Sequence, residues 1–174
     1  MAQTSYAINL PAVAYPGQPF DIAAVKDMTS ALAVAAAIPY GVLGVRDGSN
    51  IGQGGVEIAV KVPAASTDIT VLGSALGVVV ADQARSQDPN VALPTYPINS
   101  AVSLGRVGRF WVSVEEAVTA GQQAYVRYAT GSFAQKGAFR ASADTSTAAA
   151  LPNAYYVTSQ ATPGGYAVVE LALN

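Results

Sequence analysis

Few residues in this chain of 174 have side chains that could do chemistry. The sequence contains no His and no Cys, which excludes Ser–His and Cys–His catalysis, zinc sites made of Cys and His, and disulfide bonds. A Ser–Lys pair would need Lys26, Lys61 or Lys136, and nothing in the sequence places one of them beside a serine. We therefore expect a protein that is not an enzyme and that binds no cofactor.

The acidic residues do not indicate an active site or a metal site either. Glu115 and Glu116 lie at the end of a predicted strand, where neighbouring side chains point to opposite faces. Carboxylates so placed cannot flank one glycosidic bond, and we interpret them as a solvated strand edge. A calcium loop needs several clustered oxygen ligands, whereas Asp47-Gly48 stands alone. The sequence predicts no metal site.

One glycine-rich segment, residues 48–55, invites comparison with a phosphate-binding loop. It lacks the Lys-Ser/Thr ending of a P-loop and does not match GxGxxG before a helix. The pattern is more typical of a turn between two strands.

Charge is scarce along the whole chain. Charged residues make up 11% of it, against about 25% in typical soluble domains. The net charge of −2 argues against a nucleic-acid partner, because such proteins usually present a basic face. The longest apolar stretch, residues 31–38, is far shorter than the roughly 18 residues of a membrane span, and the start lacks a secretory pattern. We expect synthesis in the cytoplasm and no membrane partner.

The low charge also bears on assembly. A soluble monomer normally spreads charges over its surface, whereas a protein that buries surface against copies of itself or a scaffold can replace them. After position 145 the chain carries a single charged residue, Glu170. We expect a homo-oligomer, with a trimer favoured and a dimer as the alternative.

Most of the local sequence patterns indicate β-strands. Alternation is clearest in residues 56–62, where Val56, Ile58, Val60 and Val62 share one face. Strands are predicted at residues 41–46, 56–62, 69–72, 76–80, 102–104, 108–115, 123–128, 155–158 and 166–173. One short helix is expected within residues 21–37, and residues 141–150 are predicted to be a connection. The fold class is therefore mainly β, either a β-barrel or a jelly-roll-like sandwich.

Residues 1–20 contain Pro11, Pro16 and Pro19 and no charge, which predicts an extended arm. Its apolar side chains would be costly to leave in water, so we expect them to contact either a partner or the arm's own domain. The expected contact residues of the arm are Tyr6, Ile8, Leu10, Pro11 and Tyr15.

A long proline-rich loop is predicted over residues 83–100, with Pro94 and Tyr96 as further contact candidates. The nine tyrosines and Trp111 could together form a sugar-stacking surface, although aromatic residues in strands more often line a core or a subunit contact.

Three blocks of the sequence resemble head decoration proteins of tailed bacteriophages, which are also called structural cement proteins. The first is residues 105–128, reading GRVGRFWVSVEEAVTAGQQAYVRY. The second combines Gly17-Gln18, Asp21 and Ser30 with Ile38-Pro39-Tyr40-Gly41, and the third is the closing GGYAVVEL of residues 164–171. Together they cover a little under half of the chain.

The resemblance implies a structural virion protein that binds the outside of an icosahedral capsid, with the phage major capsid protein as its partner. Residues 1–20 would then be the arm and residues 21–174 the β-rich capsid-binding domain. The family has no catalytic residues to carry over. A glycan-binding adhesion module of a phage tail or baseplate is the alternative.

Overall fold

A computed structural model describes residues 15–20, 25–48, 58–71, 73–81, 95–130 and 135–173. Within these ranges lie eleven strands and one short helix. In chain order they are β1 Asp27–Ala33, β2 Ile38–Pro39, β3 Leu43–Arg46, β4 Ala59–Lys61, α1 Thr67–Thr70, β5 Ala75–Val79, β6 Thr95–Tyr96, β7 Ala101–Ser113, β8 Gln123–Arg127, β9 Phe139–Arg140, β10 Ala148–Tyr156 and β11 Tyr166–Ala172.

Strand β7 belongs to both parts of the fold. Its first half pairs with β1 along one edge and with β5 along the other. Strands β4 and β3 complete the order β1-β4-β3-β5-β7, and the β1–β7 pairing closes these five strands into a barrel. The second half of β7 pairs with β11, from which β10, β8 and β9 continue. We call these two parts the barrel and the extension sheet.

Strand β7 bends where it passes from the barrel to the extension sheet. The ring of Phe110 occupies the space that a Cβ on Gly105 would fill. Five residues of straight strand would separate the two positions by about 17 Å, so this contact requires a sharp bend. Gly108, with φ of 144°, lies inside the bend. A residue without a side chain at position 105 is thus needed for the two parts to meet.

The strands β3 and β5 are buried on both faces. Leu43 and Val45 of β3 pack into the apolar cluster under the extension sheet, together with Val78 of β5. Leu76 and Val79 of β5 pack into the barrel interior. This double burial explains why both segments are nearly continuous apolar runs in the sequence.

The predicted mainly β class is confirmed, and the barrel is the architecture formed. The alternation expected in residues 56–62 is confirmed for Ile58, Val60 and Val62, which all pack toward the barrel interior. The predictions for Val56 and Glu57 lie outside the described residues.

The helix predicted within residues 21–37 is wrong, because residues 27–33 form β1. This strand pairs with β7 from Asp27 to Leu32 and also with β4, and it buries Ala31 and Ala33. The helix preference of alanine is a fraction of a kcal/mol per residue, which pairing and burial outweigh. Residues 21–24 lie outside the described part of the chain.

The described helix, α1, lies where a strand was predicted over residues 69–72. Asp68 Oδ2 accepts hydrogen bonds from the N–H groups of Ala64 and Ala65, at 2.8 and 3.1 Å. These local bonds favour a helical turn, and the turn places Ile69 in the apolar cluster.

In the extension sheet, the structure differs from the sequence predictions in two further places. The connection predicted at residues 141–150 is wrong in its second half, where Ala148, Ala149 and Ala150 pair with β8 as part of β10. Strand β9 was not predicted, because two residues are too few for a periodic pattern.

Candidate interaction surface

The outer face of the extension sheet carries aromatic side chains that are exposed or half-buried. On β7, Trp111 alternates with the buried residues Phe110 and Val112, so it points away from the core. Phe20 packs edge to face against Trp111, with ring centroids 5.7 Å apart and an interplanar angle of 67°. The Phe20 N–H donates to the Arg109 carbonyl at 2.8 Å, which fixes Phe20 along the edge of β7.

Two tyrosines extend this surface across the sheet. Tyr166 of β11 pairs with Ser113 of β7, and Tyr155 of β10 pairs with Glu170 of β11. Their neighbours in sequence pack into the core below, so both rings point to the side of Trp111. Tyr155 and Tyr166 are 48% and 36% exposed. We call Phe20, Trp111, Tyr155 and Tyr166 the aromatic face.

Two charged side chains lie on the same side of the sheet as the aromatic face, and they neutralise each other. Arg109 and Glu170 pair across β7 and β11, with Arg109 Nε 2.7 Å from Glu170 Oε2. Both side chains are largely exposed, so the pair adds little to stability, about 1 kcal/mol at most. The surface is suited to a broad, mainly apolar contact.

A network of charged side chains closes one end of the extension sheet. Arg127 is 1% exposed and places Nε 2.7 Å from Glu115 Oε2 and Nη2 2.8 Å from Asp144 Oδ2. Arg140 lies 2.8 Å from Asp144, 3.3 Å from Glu115 and 3.2 Å from Glu116. We call these five residues the charge network.

The interpretation of Glu115 and Glu116 as a solvated strand edge is wrong. Strand β7 ends at Ser113, so its alternation does not extend to the two glutamates. Both carboxylates turn toward Arg140 of β9, a contact that only the folded sheet creates.

The surroundings shift the pKa values of two carboxyl groups in opposite directions. Burial raises the pKa of Glu115 above its usual value, although Arg127 and Arg140 act against this change. Hydrogen bonds from Arg127 and then Thr147 lower the pKa of Asp144. The acidic groups thus form ion pairs with the two arginines, and the charge network has a structural role.

The charge network also holds a strained turn. Asp144, Thr145 and Ser146 have φ angles of 44°, 49° and 71°, a left-handed conformation that costs roughly 1–2 kcal/mol per residue. Thr147 Oγ1 donates to the Asp144 carbonyl at 2.8 Å, and the Tyr128 hydroxyl donates to the Ser146 carbonyl. The two arginines that bind the Asp144 carboxylate therefore keep this turn in place.

The described residues contain no group of three or more acidic side chains that could hold a metal ion. Across the same ranges, no helix is both long and apolar enough to cross a membrane.

The contact residues predicted from sequence lie in different places. Tyr15, at the start of the described chain, is 49% exposed. Tyr96 is buried in the barrel, where its hydroxyl donates to the Val80 carbonyl at 3.1 Å and its ring packs against Tyr40. Five of the predicted residues lie outside the described ranges, namely Tyr6, Ile8, Leu10, Pro11 and Pro94.

Sequence reasoning missed the aromatic face. Alternation between Arg109, Trp111 and the buried Phe110 was an available signal for the β7 part. The choice between Tyr155 and Tyr156 as the exposed tyrosine depends on the register of β10 against β11, which the sequence alone does not specify.

A β-barrel that presents a neutral aromatic surface is typical of a β-rich protein that binds a partner through that surface. A family model described as "Structural cement protein (E217 gp24/Pam3 gp6)" matches residues 2–172. The chain therefore belongs to the phage structural cement protein family. It is a non-enzymatic structural component of the virion capsid, as the sequence resemblance implied.

Solved structures that are similar to the chain include two from bacteriophages. A chain in the capsid of Myoviridae phage XM1 matches with a TM-score of 0.65 and 12% identity, covering 97% of this chain and 98% of that one. At this identity the likeness concerns the fold. The head fiber gp8.5 N base of bacteriophage phi29 matches with a TM-score of 0.44 and 15% identity, over 83% and 92% of the two chains. A comparison with curated protein sequences found no match.

Proposed function

We propose that this cement protein binds the outer surface of the lattice formed by the phage major capsid protein, and that the aromatic face is its main contact. The exposure of Tyr155 and Tyr166, beside Phe20 and Trp111, is the observation that carries the proposal. Aromatic side chains are enriched in protein interfaces, and burying one large apolar side chain contributes about 1.5–3 kcal/mol.

Residues 1–20 provide a second contact in this proposal, either with a neighbouring copy or with the capsid shell. Tyr6, Ile8, Leu10 and Pro11 form its apolar part, and Tyr15 lies exposed where the described chain begins. Prolines reduce the entropy that an extended segment loses when it binds. Many weak contacts repeated over a capsid add up through avidity. Pro94 stays a candidate in the sequence segment 83–100, whereas Tyr96 is buried and its hydroxyl donates to the Val80 carbonyl.

The protein acts as a homo-oligomer in this proposal, a trimer rather than a dimer. The low charge content, 11% of the residues, supports self-association. Sedimentation equilibrium of the purified protein should give a trimer mass. A monomer at high concentration would contradict self-association away from the capsid, and a dimer would replace the trimer assignment.

The contact is tested by adding purified protein to capsids that lack it. Replacing Tyr155→Ser together with Tyr166→Ser should lower capsid affinity at least tenfold, measured as occupancy against protein concentration. Met28→Ser is the matched control, because Met28 is 48% exposed but lies on β1 of the barrel. Unchanged occupancy of the double variant, with a retained circular dichroism spectrum, would contradict the aromatic face as the contact.

A further inference from the structure

A pocket of about 330 Å³ lies between the barrel and the extension sheet. Its wall is mainly apolar and includes Pro16, Pro39 and Pro163, whose rings carry no N–H and restrict the backbone. Among the described residues of the wall, Glu115 is the one with a charge, and it is paired with Arg127. The pocket is therefore suited to apolar side chains. Its size is at the lower end of ligand pockets, about 300–1,000 Å³.

The chain ahead of the described residues has a matching composition. Residues 1–14 carry no charge and include Tyr6, Ile8 and Leu10 at alternate positions. Fully extended, fourteen residues span up to about 46–50 Å. A domain of this size has a radius of gyration of about 16 Å, so such a segment is long enough to reach a neighbouring copy.

The described chain reverses its direction at Pro16 and Gly17. The Gln18 N–H donates to the Tyr15 carbonyl at 3.0 Å, and Gly17 has φ of 80°, which together define a chain reversal.

Residues 18–20 run away from the pocket. Gln18 bonds to Trp111 and Phe20 bonds to Arg109, so the direction is from the end of β7 toward its middle. The pocket lies at the opposite side, beside Ser113 and Glu115. Residues 18–20 thus lead away from the pocket, whereas Pro16, in the turn before them, lies in its wall.

We propose that residues 6–13 of one copy bind in the pocket of a neighbouring copy. The inference rests on the proposed function for the homo-oligomer and the arm, and it specifies where the arm binds. Each copy gives one arm and receives one, a head-to-tail contact that closes into a ring in a trimer. Apolar side chains of the arm fill the pocket. Pro11 has no N–H group and therefore needs no hydrogen-bond acceptor there.

The absence of cysteine makes a disulfide test clean. Single variants Tyr6→Cys, Ile8→Cys and Leu10→Cys are each mixed with Gln135→Cys, which lies in the pocket wall. The mixtures are oxidised mildly, both as free protein and on decorated capsids, and the linked peptides are identified by mass spectrometry. A disulfide requires Cα atoms within about 7 Å, so three arm positions sample the register.

We expect at least one arm position to link to position 135 of another chain, at least tenfold more than to Met28→Cys, an exposed control site on β1. Links confined to a single chain in the double variant Leu10→Cys/Gln135→Cys would overturn the proposal. Yields no higher than the control in both settings would also overturn it. A link in free oligomers that do not bind capsids would keep this inference and contradict the proposed capsid contact.

Discussion

The barrel and the extension sheet share β7 but are stabilised in different ways. The barrel interior consists of apolar side chains such as Val60, Val79 and Leu104. The extension sheet also has an apolar cluster, yet its end is closed by the charge network around Arg127. Removing atoms from an apolar core loses contacts, whereas removing one charge from a buried network leaves its partners uncompensated. Stability of the extension sheet therefore depends on charge in a way that the barrel's does not.

The largest effect is expected from Arg127→Met. This change leaves the buried Glu115 without its closest cation and releases one of the two arginines that hold Asp144. We expect a loss of about 3–5 kcal/mol in the free energy of unfolding, measured by urea denaturation.

Arg109→Met is the matched control, since Arg109 forms one ion pair on the exposed outer face. Its expected cost is about 0–1 kcal/mol. Equal effects of the two substitutions would show that the charge network does not distinguish the extension sheet.

The bend between the two parts is tested by Gly105→Ala. A Cβ at this position collides with the ring of Phe110, so β7 must straighten or the ring must move. Overpacking of this kind costs about 1–3 kcal/mol, which thermal unfolding can detect. At Gly48 an added Cβ meets nothing within 4 Å, and Gly48→Ala should stay within about 0.5 kcal/mol of the parent. A Gly105→Ala protein as stable as Gly48→Ala would contradict the bend.

The smallest expected effect is on pH dependence. Because the pKa of Asp144 is lowered on folding, its ionised form stabilises the protein above the usual value of 3.8, and this contribution is lost as pH falls through the folded-state pKa. Asp144→Asn should therefore be less stable than the parent at neutral pH, and the difference should shrink below about pH 4.

The pKa of Glu115 shifts in the opposite direction to that of Asp144, so its effect on stability has the opposite pH dependence. Burial raises its pKa, so its contribution is fully present below the usual value of 4.5 and is lost as pH rises through the folded-state pKa. A stability difference between the parent and Asp144→Asn that stays constant from pH 7 to pH 2 would contradict the role of Asp144.

The difference between the barrel and the extension sheet also explains which features the sequence predicts. The barrel strands other than β1 were recognisable because double burial and period-two alternation leave a local pattern, as in Val60 and its neighbours. Strand β1 was misread because its alanines favour a helix until β7 and β4 pair with it. The charge network could not be predicted, since Glu115 meets Arg127 and Arg140 only after the extension sheet forms.

The aromatic face was missed for a similar reason. Its members come from four separate segments, and only the pairing of β7, β11 and β10 brings them to one side. The family resemblance, in contrast, was carried by contiguous blocks such as residues 105–128, and the family match over residues 2–172 confirms it.

The most direct test of the central claim is the temperature at which DNA-filled capsids lacking this protein break open. It is measured alone, with the full chain bound, and with a chain lacking residues 2–14. We expect the full chain to raise the disruption temperature, and we expect the shortened chain, with an unchanged circular dichroism spectrum, to bind more weakly and to raise this temperature less. An unchanged disruption temperature at full occupancy would contradict stabilisation of the capsid, and equal occupancy and protection by the shortened chain would contradict the role of the arm.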